Sequence, residues 1–509
     1  MVKYLYGAAV QGIQGFIFKT SELQDIAGAS ELVENICTRS FEELLHAEGR
    51  RQGGPLAAEK VIGAAGNVKY VFTDREACAK IVRQFPKKVM HQAPGITISQ
   101  AVVEYDQDVD FGKAVEQLEA RLREERNHPL GTVTAGLLGM ERARRTGLPV
   151  VERERDEYVD AATQAKHRAN DTRRLCAKSF YGDPNAPLSG AQVAYKISEM
   201  TDKNDWIAII HADGNGLGQI VRKIGRQKDV YSDFSERLDE ATIASAKEAY
   251  DEVSEGQPWK EKGRIPIRPV VLGGDDMTVI IRGNLAIAYA EAYLKAFEKN
   301  TELRLGKMLK DKHVFDDGRT CLTACAGVAF VKSSFPFYYA YNLAEELCTE
   351  AKVKSGRKQS CLMFHKVQDS FITSYHDIIA RELTLKAPDE VTRTSAVFPR
   401  SLQCGPYFIG KSPEGYLSIE DLGKATHALS REEGVHTGLR QWLTLLKEGS
   451  GRSGQHLKRL RQVNQDDEEA TRLIDTLSCL RQGQAVAAGD CLTLYTILYQ
   501  ETKSKEDNA

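Results

Sequence analysis

The sequence predicts an α+β fold, with two ferredoxin-like domains of β-α-β-β-α-β order and a C-terminal all-helical domain. Three observations predict it: an internal repeat, strands alternating with helices around a hairpin, and apolar residues at three-and-four spacing from about residue 368 onward. In the repeat, "AVQGIQGFIF" (9–18) lies without gaps over "ADGNGLGQIV" (212–221), and each follows a short apolar strand. Downstream, "AAGNVKYVF" (64–72) lies over "LGGDDMTVI" (272–280), so that Ala65-Gly66-Asn67-Val68 stands where Gly273-Gly274-Asp275-Asp276 stands. Two matches in the same order, 55 and 60 residues apart, identify a duplication whose first copy has lost its carboxylates.

The elements of the second copy follow in order. "WIAIIHA" (206–212) is apolar throughout and reads as a buried strand, and 217–254 carries helical periodicity. Runs 268–273 and 277–282 flank a Gly-Gly-Asp-Asp turn and read as a hairpin. A helix over 285–300, a strand over 321–332 and a helix over 338–354 complete the unit. This order puts the end of the first strand beside the hairpin tip, so Asp213 is expected to face Asp275 and Asp276. The expected boundaries are 1–127 for the first domain, catalytically degenerate, 128–200 for a charged helical linker with a loop at "YGDPNAPLSG", 201–367 for the second domain, and 368–509 for the helical domain. "GSGRSGQ" (449–455) reads as a flexible joint and the tail "KSKEDNA" as disordered.

Composition narrows the function classes. Lys plus Arg 69 against Asp plus Glu 71 gives no global basic field, so any polyanion contact is local. The ten cysteines include no C-x-x-C pair and read as reduced, mostly buried thiols. No secretory leader and no apolar run of membrane-spanning length is present, so a cytoplasmic protein without membrane contact is expected.

A bare Gly-Gly-Asp-Asp tetrapeptide is compatible with an ordinary turn. Three carboxylates converging on one spot raise one another's pKa and call for a compensating cation, and Mg²⁺ or Mn²⁺ suits an all-oxygen donor set. Asp213, Asp275 and Asp276 are therefore the candidate catalytic and metal residues, in the pattern of metal-dependent phosphoryl transfer. Gly214, Asn215, Gly216, Leu217 and Gly218 open a helix after the strand, and glycines there let backbone N–H groups approach a triphosphate. Gly273 and Gly274 belong to the same nucleotide-binding set. Lys352 and Arg357, at a helix end, fit either macrodipole partners or ligands of the β- and γ-phosphates. Arg440, Lys447, Arg452, Lys458, Arg459 and Arg461 form a local basic region that reads as a solvated helix face or an RNA or partner surface.

"HADGNGLG", "LGGDDMTV", "CAGVAFVKSSFPFYYAYNLAEELCTEAK" and "GIQGFIFKTSELQDIAGASELVENI" together resemble the large tandem-palm subunit of type III CRISPR effector complexes, within the palm and nucleotide-cyclase superfamily that includes GGDEF domains. The resemblance is strong over 1–365 and weak beyond. It implies two palm domains packed face to face, ATP as substrate, and a nucleotidyltransferase or cyclase that joins ATP into a cyclic oligoadenylate or cyclic dinucleotide messenger in antiviral defence. It also implies that Gly66 and Asn67 border a second nucleotide, with crRNA, target RNA and other CRISPR subunits as partners; an oligomer is compatible. Departures are the missing HD nuclease domain, so that DNA cleavage is not expected and "YHD" (375–377) reads as surface, the missing cysteine-rich zinc module, since the linker holds Cys176 alone, and a small overall size. Alternative readings are a regulatory, non-catalytic scaffold of a crRNA-guided ribonucleoprotein and a diguanylate-cyclase-like enzyme.

Overall fold

The computed structural model describes residues 2–51, 54–64, 66–106, 111–128, 139–154, 156–201, 206–224, 227–261, 263–369, 374–386, 398–449, 451–481 and 484–499. Ala65 of the first hairpin and the tail expected to be disordered lie outside them. The first palm runs β1 (Val2–Gln11), α1 (Ile13–Ile17), α2 (Leu23–Asn35), α3 (Phe41–Arg51), β2 (Ala58–Ala64), β3 (Asn67–Phe72), α4 (Arg75–Gln92), β4 (Thr97–Asp106) and α5 (Phe111–Arg126). Its antiparallel sheet has the order β2-β3-β1-β4, the split βαβ topology that the repeat predicts. Asp74 caps α4 by accepting from the Glu76 and Ala77 backbone N–H groups, a local reason for the helix to start there.

The charged segment that follows adds a hairpin, β5 (Val150–Glu154) with β6 (Glu157–Asp160), to the expected helices α6 (Ala161–Asn170) and α7 (Arg174–Tyr181). Asp160 caps α6, and turns occupy the proline- and glycine-bearing loop. α6 packs against α2 of the first palm, and α7 lies between α2 and the core of the second domain. Lys178 of α7 bonds Glu34 of α2 at 2.7 Å and the Leu272 carbonyl of the second domain at 2.9 Å.

The second palm comprises β7 (Trp206–Gly214), α8 (Leu217–Ile224), α9 (Lys228–Ser254), α10 (Pro258–Glu261), β8 (Ile267–Gly273), β9 (Asp276–Arg282), α11 (Ala286–Asp311), β10 (Ala324–Lys332) and α12 (Phe337–Lys354). β11 (Cys361–Lys366) adds parallel to β10, and β12 (Tyr407–Phe408) closes that edge, giving the order β12-β11-β10-β7-β9-β8. The uninterrupted apolar run of β7 has a direct cause. Ile207 and Ile209 face a core shared with the first palm, whereas Ala208, Ile210 and Ala212 face α9 and α11.

The C-terminal region holds α13 (Tyr375–Ile378), α14 (Ile419–Arg431), α15 (Glu433–Lys447), α16 (Ser453–Val463), α17 (Glu468–Ser478) and α18 (Ala488–Leu498). Its apolar residues Leu422, Trp442, Ile474 and Ile497 join Leu362 and Phe364 of the sheet in one core. Two local expectations change. Tyr375 of "YHD" is buried and bonded to Gln403, leaving His376 exposed. The joint at 449–455 is short, because α16 already begins at Ser453. Among the described residues no helix is long and apolar enough to cross a membrane, and eight cysteines are buried.

Gly28 marks where α2 and α6 meet, since a Cβ there would sit 1.9 Å from the Lys166 carbonyl oxygen. Gly28→Ala should therefore push these helices apart and cost about 1–3 kcal/mol, read as a lowered midpoint of thermal unfolding.

Candidate active site

Asp213 stands one residue before the end of β7, where Cys325 of β10 pairs with it and fixes its height in the sheet. Asp275 and Asp276 occupy the tip of the β8–β9 hairpin, in which Gly273 pairs with Asp276 and Gly274 takes the left-handed conformation at φ 62°. The tip is pinned from α9: Thr242 Oγ1 donates to the Gly274 carbonyl at 2.6 Å, and the Gly274 N–H donates to Asp239 Oδ1 at 3.1 Å. Close approach of strand and hairpin depends on Gly214, where a Cβ would lie 2.9 Å from the Cβ of Asp275.

The result is a cluster in which one ligand oxygen from each of Asp213, Asp275 and Asp276 lies within 4.8 Å of the others. Burial, then Asp276 and Asp213, pushes the Asp275 carboxyl up to about 8. Burial, then Asp213, pushes Asp276 up to about 7. Lys352 partly offsets the charge. Its buried ammonium pairs with Asp213 and donates to the Gly214 carbonyl at 2.9 Å. The donor set is all carboxylate oxygen and carries excess negative charge, which fits a hard divalent cation such as Mg²⁺ or Mn²⁺.

The glycine turn is held by Asn215, whose N–H donates to the Thr323 carbonyl at 2.8 Å and whose Nδ2 donates to Thr323 Oγ1 at 3.0 Å. Gly216 is left-handed at φ 72°, Leu217 opens α8, and Gly218 has open space where a side chain would be. Asn215 and Gly216 border a cavity of about 510 Å³ that Lys223, Arg319, Arg357 and Lys358 also line. Lys352 and Arg357 therefore occupy different places, the first beside Asp213 and the second on this cavity wall. In the first palm, the Gly66 carbonyl accepts from the Val10 N–H at 2.8 Å, and Asn67 Oδ1 is buried with no hydrogen-bond partner among the described residues.

Sequence reasoning missed a fourth acid and a contact between the two palms. Gln14 of α1 donates to Tyr341 at 3.2 Å and to Glu345 at 3.4 Å, and the Phe18 and Tyr341 rings lie 4.9 Å apart. Glu345 is raised by burial, with Asp213 adding to the shift. The signal was periodic. Tyr341, Glu345, Cys348 and Lys352 recur at helical spacing on one face of α12. Behind the cluster, burial holds His211 neutral, down to about 4, and its Nδ1 lies 3.0 Å from Thr278 Oγ1.

Residues 206–361 match the family described as "Cas10/Cmr2, second palm domain". The chain is similar in structure to a Csm1–Csm4 cassette in complex with cA4, with TM-score 0.56, 13% identity, and coverage of 97% of this chain and 69% of that one. It is also similar to Csm1 of T. onnurineus, with TM-score 0.53, 12% identity and the same coverages of 97% and 69%. A Csm1–Csm4 cassette in complex with one ATP matches with TM-score 0.51, 13% identity, 97% and 69% coverage. At these identities the likeness is one of fold. No curated protein matches the chain by sequence.

The raised acids set a pH dependence. Because Asp275 and Asp276 hold protons in the folded state up to about 8 and about 7, while unfolded aspartate releases its proton near pH 4, raising pH across that window costs stability. Metal-free protein should lose thermal stability between about pH 4 and 8. Mg²⁺ should restore more of it at pH 8 than at pH 5.5; the Asp275→Asn/Asp276→Asn variant should lose less over that window, since burial also raises Glu31 to about 7 and Asp490 to about 6, and should show no metal response; a metal response that survives this variant would place the cation elsewhere.

Proposed function

Because the second palm belongs to the Cas10/Cmr2 palm family and the whole chain has the fold of the large palm-domain subunit of type III CRISPR complexes, we propose that it is a nucleotidyltransferase that joins ATP into an oligoadenylate, cyclic in its final form. The observation that carries this reading is the Asp213–Asp275–Asp276 cluster at the mouth of a glycine-rich turn. In the reaction a 3′-hydroxyl of one nucleotide attacks the α-phosphorus of another, and the bond to pyrophosphate breaks. Asp213, Asp275 and Asp276 would hold a divalent cation, which when bound would lower the pKa of the attacking hydroxyl and neutralise charge on the phosphates.

The chain's own groups supply the rest. Lys352 holds Asp213 in place through its pair and the Gly214 carbonyl. The 216–218 part of the turn presents backbone N–H groups to the triphosphate at the start of α8, while Asn215 anchors the turn to Thr323. Arg319, Arg357 and Lys358, on the adjoining cavity, supply positive charge for the β- and γ-phosphates. Adenine as the base is supported by the ATP and cA4 held in the similar cassettes. The acceptor nucleotide sits against the first palm, where Asn67 offers an unsatisfied buried oxygen. By the same likeness, its protein partner is a second subunit of the Csm4 kind.

Purified chain with labelled ATP and Mg²⁺ or Mn²⁺ should release pyrophosphate and form a new product identified by mass spectrometry. Asp275→Ala/Asp276→Ala should lower the rate on the order of 10³-fold or more, and an unchanged rate would refute the site. Asn67→Ala should raise the ATP concentration required, with a much smaller effect on the maximal rate, if the first palm only holds the acceptor.

A further inference from the structure

Between β11 and the helical domain lies a cavity of about 290 Å³, on the far side of β10 from the acidic cluster. Lys366 closes β11 and enters it, and α15 contributes Arg440, Thr444 and Lys447, which at this spacing share one helix face. Lys366 Nζ donates to Thr496 Oγ1 at 2.6 Å. That ammonium lies 4.5 Å from the Trp206 ring centroid, and the ammonium of Lys332 lies 4.1 Å from the same ring. Two lysines thus flank one indole, and Lys366 also lies within the field of Arg440.

The charged groups acting on Lys366 are Lys332 and Arg440, which with burial hold its pKa down to about 8. The cavity also holds two carboxylates, one of which offsets part of the charge of Lys447. Glu382 lies 3.8 Å from His365 Nε2 and is drawn to Lys447, while burial holds His365 neutral. Asp490 accepts from the Cys404 N–H at 2.9 Å and from the Tyr407 hydroxyl at 2.5 Å. The indole face offsets part of one positive charge. Concentrating cations in a half-enclosed space is otherwise unfavourable, and an anion relieves it.

We propose that this cavity is a binding site for a phosphate group, with Lys366, Arg440 and Lys447 as its cationic ligands. One N–H of Lys366 is committed to Thr496, which leaves two to donate, and the arginine fork suits a phosphate oxygen pair. The volume admits a phosphate with its attached sugar and excludes a duplex. The phosphate comes either from a free phosphorylated small molecule or from the backbone of single-stranded RNA. The site is independent of the acidic cluster and of the activity proposed for it.

The test uses the full chain in EDTA, with lysine acetylation at pH 8 read residue by residue by mass spectrometry. Inorganic phosphate and a ten-nucleotide oligouridylate are the two probes. Acetylation of Lys366 should slow at least about fivefold with one probe, equally in Asp275→Asn/Asp276→Asn, and the protection should vanish in Arg440→Gln/Lys447→Gln, whose side chains are exposed and tolerate exchange. Protection by the oligonucleotide at concentrations where phosphate is silent assigns the site to RNA. Protection by phosphate alone assigns it to a small molecule. Absence of protection by both probes, or protection that persists in Arg440→Gln/Lys447→Gln, overturns the proposal.

Discussion

Mutual repulsion among Asp213, Asp275 and Asp276 is the constraint around which the second palm is arranged. A hairpin tip free to move would swing away from the strand end and dissipate it. Here β7 is buried on both faces and cannot retreat, Gly214 leaves no side chain to hold the hairpin off, and α9 grips the tip through Thr242 and Asp239. Lys178 adds a brace on the strand leading into the tip. The energetic tension is then met by protons, by Lys352 or by a divalent cation, and under the proposed function only the last gives a productive site.

The first palm shows what the same scaffold does without that tension. Its four strands have the order of β8-β9-β7-β10 in the second sheet, and its hairpin has a left-handed glycine too, Gly66 at φ 74° against Gly274 at φ 62°. Asn67 and Val68 stand where the aspartates stand, so there is no repulsion to restrain. The hairpin geometry outlived the chemistry. What the first palm contributes instead is a wall, with Gln14 and Phe18 meeting Tyr341 and Glu345 of α12.

Much of this was legible because it is local in the chain. The apolar run of β7, the turn residues of the hairpin and the repeat all act over a dozen residues, and each forces one backbone answer. The hairpin β5–β6 was hidden because "VVERE" and "EYVD" carry charge on both faces, which resembles a solvated helix. Strand β12 is two residues long and exists only because β11 offers it an edge. The partner of Lys352 and the approach of Glu345 to the cluster follow from how α12 packs across the sheet, and residue spacing fixes which face they share without saying what that face meets. Lys366 and the cations around it come from three distant segments, β11, β10 and α15, that only the tertiary fold unites.

The joint core of the second palm and the C-terminal helices bears on how the chain is made. Leu362 and Phe364 of β11 are covered by residues from α14 to α18, and Tyr407–Phe408 seals the strand's outer edge. During synthesis β7 to β11 emerge before their cover exists, and at roughly 5–20 residues per second that interval is on the order of ten seconds. For that time a nascent chain exposes an apolar sheet face and an open strand edge, the surfaces that holdase chaperones engage and that neighbouring nascent chains pair with. Without the last helices the β11 face lacks its apolar cover and its outer edge lacks a partner, so the second palm and the helical region form one folding unit.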